Sequence, residues 1–150
     1  MVRLDREGGS TRTFCCLQAR ARDWARLGEL VRTRGAPVDR RILTGESIDT
    51  LLAPSPLNKA QGMHWLLEPV ALVPRSQGGG PRVAPTPFAS RDIVYAGGRG
   101  GQRVYVLPTE RAVVVRIGRI RNDFDDGLFL NPIIAALSTT TVPAPAEETR

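Results

Sequence analysis

Apolar and polar residues are patterned most regularly between residues 93 and 117, and this stretch predicts a β-hairpin. Residues 103–107 alternate in polarity and residues 112–117 are an almost continuous β-branched run, as in strands buried in a sheet. The Pro-Thr-Glu-Arg stretch at 108–111 predicts the turn between them, because proline fixes φ at the first corner and the polar residues suit solvent. A short strand at 93–96 is predicted to lead into the hairpin through a glycine-rich loop.

Helical periodicity is clearest in the N-terminal third. Apolar residues recur at helical spacing from Leu17 to Val31 while arginines take other faces, which predicts an amphipathic helix of about four turns. Gly35 is predicted to end this helix as a left-handed cap. A short helix is predicted at 48–52, and alternation predicts a strand at 62–67.

A last helix with an apolar face is predicted to end at Leu137. Pro132 leaves two alternatives, because proline suits only the first turn of a helix: the helix starts late with Asn131 as its cap, or it is kinked. Carboxylates favour the start of a helix dipole, and three aspartates are expected at or before this start. They are Asp123, Asp125 and Asp126.

These elements predict an α+β protein, with an antiparallel sheet and flanking helices. Residues 1–16 are interpreted as an N-terminal loop segment and residues 17–137 as the body of the domain. Proline and glycine predict a long irregular loop at 68–91. The composition of residues 138–150 predicts a disordered tail.

Charge does not assign a partner to this chain. Of 150 residues, 21 are basic and the net charge is +6, but Lys59 is the one lysine and the arginines are spread without a dense block. Nucleic acid is therefore not expected as a partner. No run approaches the roughly 20 apolar residues of a membrane span, and the N-terminus lacks the pattern of a signal peptide.

Metal and cofactor chemistry is not expected from the candidate ligands. Cys15 and Cys16 are adjacent, which strains a disulfide between them and falls short of a zinc site, so they are interpreted as small buried hydrophobes. The single histidine, His64, has no partner that the sequence can name, and a structural or surface role is favoured over a catalytic one.

The glycine-rich loop is the candidate binding site. Glycine permits backbone angles closed to other residues and lets a ligand approach the main chain. Peptide N–H groups of the loop are predicted to face an anionic or carbonyl oxygen. The loop residues predicted to form one wall of this binding site are Gly98, Arg99, Gly100, Gly101 and Gln102.

Four ordered blocks carry a resemblance to a known family: LQARARDWARLG at 17–28, PSPLN at 54–58, GGQRVYVLP at 100–108 and VVVRIG at 113–118. Together they resemble the C-terminal part of serine hydrolases of the class C β-lactamase type, which include penicillin-binding proteins, D-alanyl-D-alanine peptidases and esterases. The resemblance implies a partial β-lactamase/transpeptidase-like fold and a small-molecule ester, amide or β-lactam as substrate of the complete enzyme. Complete members are often exported or periplasmic.

The departures from the family pattern are as informative as the matches. The family uses a Ser-x-x-Lys nucleophile and a Tyr-x-Asn motif, and a third element, Lys-Thr-Gly or His-x-Gly, lines the site. This sequence has neither of the first two motifs, and its glycine loop lacks the Lys or His of the third, with Gly98-Arg99-Gly100 as a glycine-rich substitute. No catalytic residue is therefore assigned, and the chain is predicted to be inactive alone. The loop would form one wall of an acyl-transfer site.

Two interpretations remain open, and a third ranks last. The chain is a C-terminal fragment of such a hydrolase, or a non-catalytic binding or interaction module derived from that fold; a basic nucleic-acid-binding protein is the third. In the family the sheet mixes strands from both ends of the sequence, so the absence of the N-terminal portion would expose apolar surface of the sheet and of the last helix. Exposure of several hundred Å² of apolar surface costs on the order of 10 kcal/mol. A marginal, aggregation-prone product is therefore predicted when the chain is expressed alone.

Overall fold

A computed structural model of the protein describes residues 6–10, 17–37, 40–69, 84–119 and 124–139. Within these residues three helices and one sheet occur, and the predicted α+β class is confirmed. The sheet is antiparallel with the strand order β1-β2-β3. In chain order the elements are α1 (Ala21–Arg32), α2 (Gly45–Leu52), β1 (Val94–Gly98), β2 (Gln102–Leu107), β3 (Ala112–Arg116) and α3 (Asp126–Thr139).

The sheet consists of two consecutive hairpins. The predicted β2–β3 hairpin is confirmed, with Tyr105 paired to Val114 and the Arg111 N–H donating to Pro108 O at 3.1 Å in the turn. β1 continues two residues further into the glycine-rich stretch than predicted, because Gly97 and Gly98 pair with β2. Both edges of the described sheet are therefore formed by outer strands, β1 and β3.

Helix α1 covers one face of the sheet at close range. A methyl group added to Gly28 would lie 2.5 Å from Val113 Cγ1 and 3.0 Å from Val104 Cγ1, so glycine allows the helix to reach the strands. The α2 helix and Trp65 extend this layer, whose buried residues are aliphatic apart from the tryptophan. They are Val31, Ile48, Trp65 and Val106.

Helix α3 covers the opposite face. Successive strand residues point to opposite sides of a sheet, so Tyr95, Tyr105 and Leu107 lie on the α3 side while their neighbours face α1. These residues pack with Ile93, Leu130 and Ile134 into a second buried cluster. The sheet therefore lies between two layers, one formed by α1 and α2 and the other by α3.

Several element boundaries differ from the sequence-based expectation. Helix α1 begins at Ala21 rather than near Leu17, because Arg20 is extended and its N–H donates to Asp23 Oδ2 at 3.3 Å. The helix ends at Arg32 with Thr33 as its C-cap, so the first left-handed residue is Arg34, with φ of +51°, and the predicted Gly35 follows it with φ of +87°. Helix α2 begins at Gly45, before the predicted 48, where the Ser47 N–H donates to Thr44 Oγ1 at 3.1 Å.

The prediction of a strand at 62–67 is wrong. His64 has φ of +62° and the Gly62 N–H donates to Trp65 O at 2.8 Å, so the chain turns there instead of extending. Only Leu66 joins the sheet, through a single antiparallel bridge to Tyr95. A non-glycine residue with positive φ is uncommon, and alternation of polarity cannot reveal it.

The late start predicted as one alternative for the last helix is also wrong. Helix α3 begins at Asp126 and continues through Pro132, with the Leu128 N–H donating to Asp125 Oδ1 at 3.0 Å. Asn131 is not a cap, since its side chain binds the backbone of residues 87 and 89. The helix also includes Ser138 and Thr139, the first two residues of the predicted tail.

Some predictions lie outside the described residues. These concern Cys15, Cys16, Asp123, most of segment 1–16, the centre of loop 68–91 and residues 140–150. Among the residues that are described, no helix has the length and apolar character needed to cross a bilayer.

Candidate functional site

The predicted binding wall, Gly98, Arg99, Gly100, Gly101 and Gln102, forms the turn between β1 and β2. Gly98 and Gln102 are paired, so residues 99–101 make the turn itself. Gly100 and Gly101 have φ of +75° and +83°, in the left-handed region that side chains disfavour. Arg99 is exposed at the tip, whereas the two glycines are buried. The glycines are therefore required by the backbone of the turn itself.

Arginine side chains hold the carbonyl groups of this turn. Arg103 Nη1 donates to Gly98 O at 3.3 Å and to Gln102 O at 3.0 Å. Arg116 Nη1 donates to Gly101 O at 2.5 Å. The Gln102 side chain in turn binds both backbone groups of Gly118, at 2.8 and 2.9 Å. The turn is thus braced by side chains from β2 and β3.

The outer edge of β1 presents backbone groups beside the turn. Tyr95 N and O bond to Leu66 O and N at 2.9 and 2.8 Å, so both groups of Tyr95 point away from β2. Backbone direction alternates along a strand, which directs the N–H and C=O of Gly97 to the same outer edge. No partner for these two groups of Gly97 is found among the residues that the structure describes.

A buried ion pair lies beneath the turn. Asp126 is 1% exposed, and its two oxygens accept from Arg103 Nε at 2.6 Å and Nη2 at 3.2 Å, the fork geometry that favours arginine–carboxylate pairs. The Tyr105 hydroxyl donates to Asp126 Oδ1 at 2.5 Å. Arg103 and Tyr105 share one face of β2 because they are two residues apart, and Asp126 reaches them from the first position of α3.

Aromatic rings surround this pair. The Arg103 guanidinium lies over the rings of Tyr95 and Phe124, at 5.7 and 5.8 Å from their centroids. Phe88 meets Tyr95 edge-on at 5.7 Å. Such contacts favour a cation through the negative faces of the rings, while they exclude water from it.

Protonation states in this cluster follow from burial and hydrogen bonding. Burial, followed by the hydrogen bond to Asp126, raises the pKa of Tyr105, so its hydroxyl stays protonated and donates. For Arg103, burial disfavours the charge, but the bonds to Asp126 outweigh burial and raise its pKa. Arg103 therefore remains a cation that binds both the carboxylate and the turn.

Among the described residues, neither Ser55 nor Ser90 is hydrogen-bonded to a histidine or lysine base. Ser55 Oγ accepts the Leu57 N–H at 3.3 Å, and Ser90 Oγ donates to Asp92. His64 is exposed. In the same part of the chain, no group of three or more His, Cys, Asp or Glu residues is arranged to hold a metal ion.

The sequence located the turn but missed the cluster beneath it. Arg103, Tyr105 and Asp126 were not predicted as site residues. The period of two in β2 places Arg103 and Tyr105 on one face, and an arginine on the face of a buried tyrosine needs a counter-charge. That signal was present, but no local pattern identified Asp126, 23 positions from Arg103, as the partner.

Comparison of the sequence with protein-family models and with curated proteins finds no match. The fold and the site therefore define the chain by class only. It is an α+β protein in which a glycine turn at the end of an antiparallel sheet is braced by arginines over a buried ion pair.

Proposed function

We propose that this chain is the C-terminal part of a β-lactamase-type serine hydrolase and supplies one wall of its acyl-transfer site. The substrate class is a small ester, amide or β-lactam. The nucleophile and proton-transfer groups come from a polypeptide segment that carries Ser-x-x-Lys and Tyr-x-Asn, both missing here. The chain by itself is inactive.

The observation that carries this proposal is the outer edge of β1 where it meets the turn. Gly97 directs its N–H and C=O outward beside an exposed Arg99, and neither Gly97 nor Gly98 has a side chain to obstruct a ligand. An extended substrate pairs with such an edge through main-chain hydrogen bonds. In the family that the sequence resembles, a strand edge lines the site, and this is why we assign the wall to the outer edge of β1.

The opposite edge of the sheet supports the fragment interpretation over the binding-module alternative. Every residue of β3 is only half-buried, whereas the last four residues of β2 are buried. Ile117, directly after β3, is 56% exposed. Within the residues that the structure describes, no strand pairs with the outer edge of β3. An open edge of β-branched residues is a liability, and further strands from another segment would cover it.

The proposal is tested with the purified chain, a chromogenic ester, a chromogenic cephalosporin and a serine-reactive fluorophosphonate. We expect neither turnover nor labelling. The variants Ser55→Ala and Ser90→Ala serve as controls, since these hydroxyls lie in the described structure and any labelling would be assigned by its loss. Stoichiometric labelling with turnover would overturn the inactive-fragment interpretation.

A second test reads the coding DNA upstream of Met1. The fragment interpretation expects a Ser-x-x-Lys followed by a Tyr-x-Asn, in frame or displaced by a frameshift. If neither motif is encoded there and none is found in a co-transcribed partner, the non-catalytic module is favoured instead.

A further inference from the structure

Arg103 is bound on two sides at once. Its Nε and Nη2 reach Asp126 at 2.6 and 3.2 Å, while Nη1 reaches the Gly98 and Gln102 carbonyls at 3.3 and 3.0 Å. The side chain of Arg103 is 13% exposed and that of Asp126 is 2% exposed. One guanidinium thus connects the start of α3 to both ends of the glycine turn.

The carbonyl contacts determine where the neighbouring N–H groups point. A peptide unit is planar and trans, so the C=O of one residue and the N–H of the next point in opposite directions. Because backbone direction alternates along β1 and the groups of Gly97 face outward, the Gly98 C=O faces β2, where Arg103 contacts it, and the Arg99 N–H is directed away from β2. It therefore lies at the same outer edge as the N–H of Gly97.

We propose that Arg103 is a positioning residue that, anchored by Asp126, orients the Arg99 amide of the turn toward an oxyanion bound at the outer edge of β1. This inference rests on the proposed acyl-transfer wall and adds a residue to it. Oriented backbone N–H groups stabilise developing negative charge because they need no reorganisation during the reaction. The two glycines in the turn have no side chains that could hold it, and Arg103 performs this role from below.

An ordinary surface arginine would not behave in this way. Arg26 on α1 also binds an aspartate, Asp23, at 2.8 Å, but its side chain is 81% exposed and the pair lies within one helix. Arg26→Met is therefore a matched control that removes an exposed guanidinium–carboxylate contact within a helix. Arg103→Lys keeps the charge but cannot span the carboxylate and two carbonyls together, because an ammonium is a point donor without the planar fork.

The test compares wild type, Arg103→Lys, Arg103→Met and Arg26→Met by ¹⁵N-resolved amide hydrogen exchange and by titration with benzylphosphonate, a tetrahedral oxyanion. In both Arg103 variants we expect exchange of the paired Gly98 and Gln102 amides at the ends of the turn to accelerate by about tenfold, while β2–β3 amides change less. We expect the phosphonate to shift the Arg99 and Gly97 amides of wild type, with affinity about tenfold weaker in Arg103→Lys. Arg26→Met should match wild type.

The outcomes distinguish a failure of the positioning role of Arg103 from a failure of the proposed acyl-transfer wall. Equal acceleration of the Gly98 and Gln102 amides and of the β2–β3 amides would reduce Arg103 to a general stability element and overturn the positioning role. Phosphonate affinity unchanged in a folded Arg103→Lys would overturn it as well. If wild type binds no phosphonate while the exchange effect stands, the acyl-transfer wall fails and the orientation of the turn by Arg103 is retained. Arg103→Lys keeps the test usable if Arg103→Met does not fold.

Discussion

The two faces of the sheet are covered in different ways, although each has a buried apolar cluster. On the α1 face, aliphatic side chains pack closely and Gly28 brings the helix against Val104 and Val113. On the α3 face, a buried charge, aromatic rings and side-chain hydrogen bonds hold the helix and the segment at 84–91 in place. Apolar packing alone stabilises the first face, whereas the second adds specific polar partners to its own buried apolar cluster. We expect substitutions to have different effects on the two faces.

The largest effect is expected from Asp126→Ala. The change leaves the Arg103 guanidinium buried and without its carboxylate, which costs about 3–5 kcal/mol of unfolding free energy. Urea denaturation followed by circular dichroism measures it. Asp23→Ala, which breaks an exposed pair and the bond from the Arg20 N–H at the start of α1, should cost only about 1 kcal/mol.

A double variant tests whether the cost of Asp126→Ala comes from the unpaired Arg103 charge. Arg103→Met combined with Asp126→Leu replaces the pair with apolar side chains, and we expect it to recover much of the lost stability. If Asp126→Ala costs no more than Asp23→Ala, the α3 face does not depend on its ion pair and the contrast between the faces disappears.

An intermediate effect is expected from Gly28→Ala on the α1 face. The added methyl group meets Val113 Cγ1 at 2.5 Å, and overpacking of this kind costs about 1–3 kcal/mol. The sign of the change in unfolding free energy is decisive, because alanine favours a helix over glycine by about 1 kcal/mol when no contact opposes it. Gly45→Ala is the control, since its nearest neighbour is the flexible Arg34 guanidinium at 3.4 Å. A stabilised Gly28→Ala would show that α1 does not touch the sheet closely.

The smallest effect concerns acid and the segment at 84–91. Burial raises the pKa of Asp125, but hydrogen bonds from Leu128 and Thr86 outweigh burial and hold it below its usual value. Because the folded-state pKa is depressed, this contribution is complete above the unfolded value of about 4 and is lost as pH falls through the folded pKa. Asp125→Asn should therefore lower stability at pH 7 by about 1 kcal/mol and flatten the loss in acid.

Salt separates this effect from that of a surface pair. The pKa of Asp49 is also lowered, by its hydrogen bond to the exposed Arg34. Asp49→Asn should change the acid dependence only at low ionic strength, because exposed charges are screened. Equal salt sensitivity of the two variants would contradict the polar anchoring of the 84–91 segment to α3.

The parts of the fold that the sequence predicts are those formed by residues close to one another in the chain. Local polarity was sufficient for α1, α2 and the β2–β3 hairpin, since each buries one face formed by neighbours in sequence. It failed at Leu66, where a single bridge replaces a strand, and at Asn131, which binds a distant backbone segment instead of capping α3. In the candidate site, glycine composition indicated the turn, but the brace from Arg103 to Asp126 required the tertiary structure.

The bonds from Asp125 and Asn131 to the 84–91 segment have a kinetic consequence. They join residues 39 to 44 positions apart, whereas both hairpins close between neighbours in the chain. Contacts between distant residues carry a larger loop-closure entropy, so the hairpins are expected to form before this segment docks on α3. Interactions absent from the folding transition state govern the rate of unfolding more than that of folding. The docked segment would then determine how long the native state persists, although the hairpins determine how quickly it is reached.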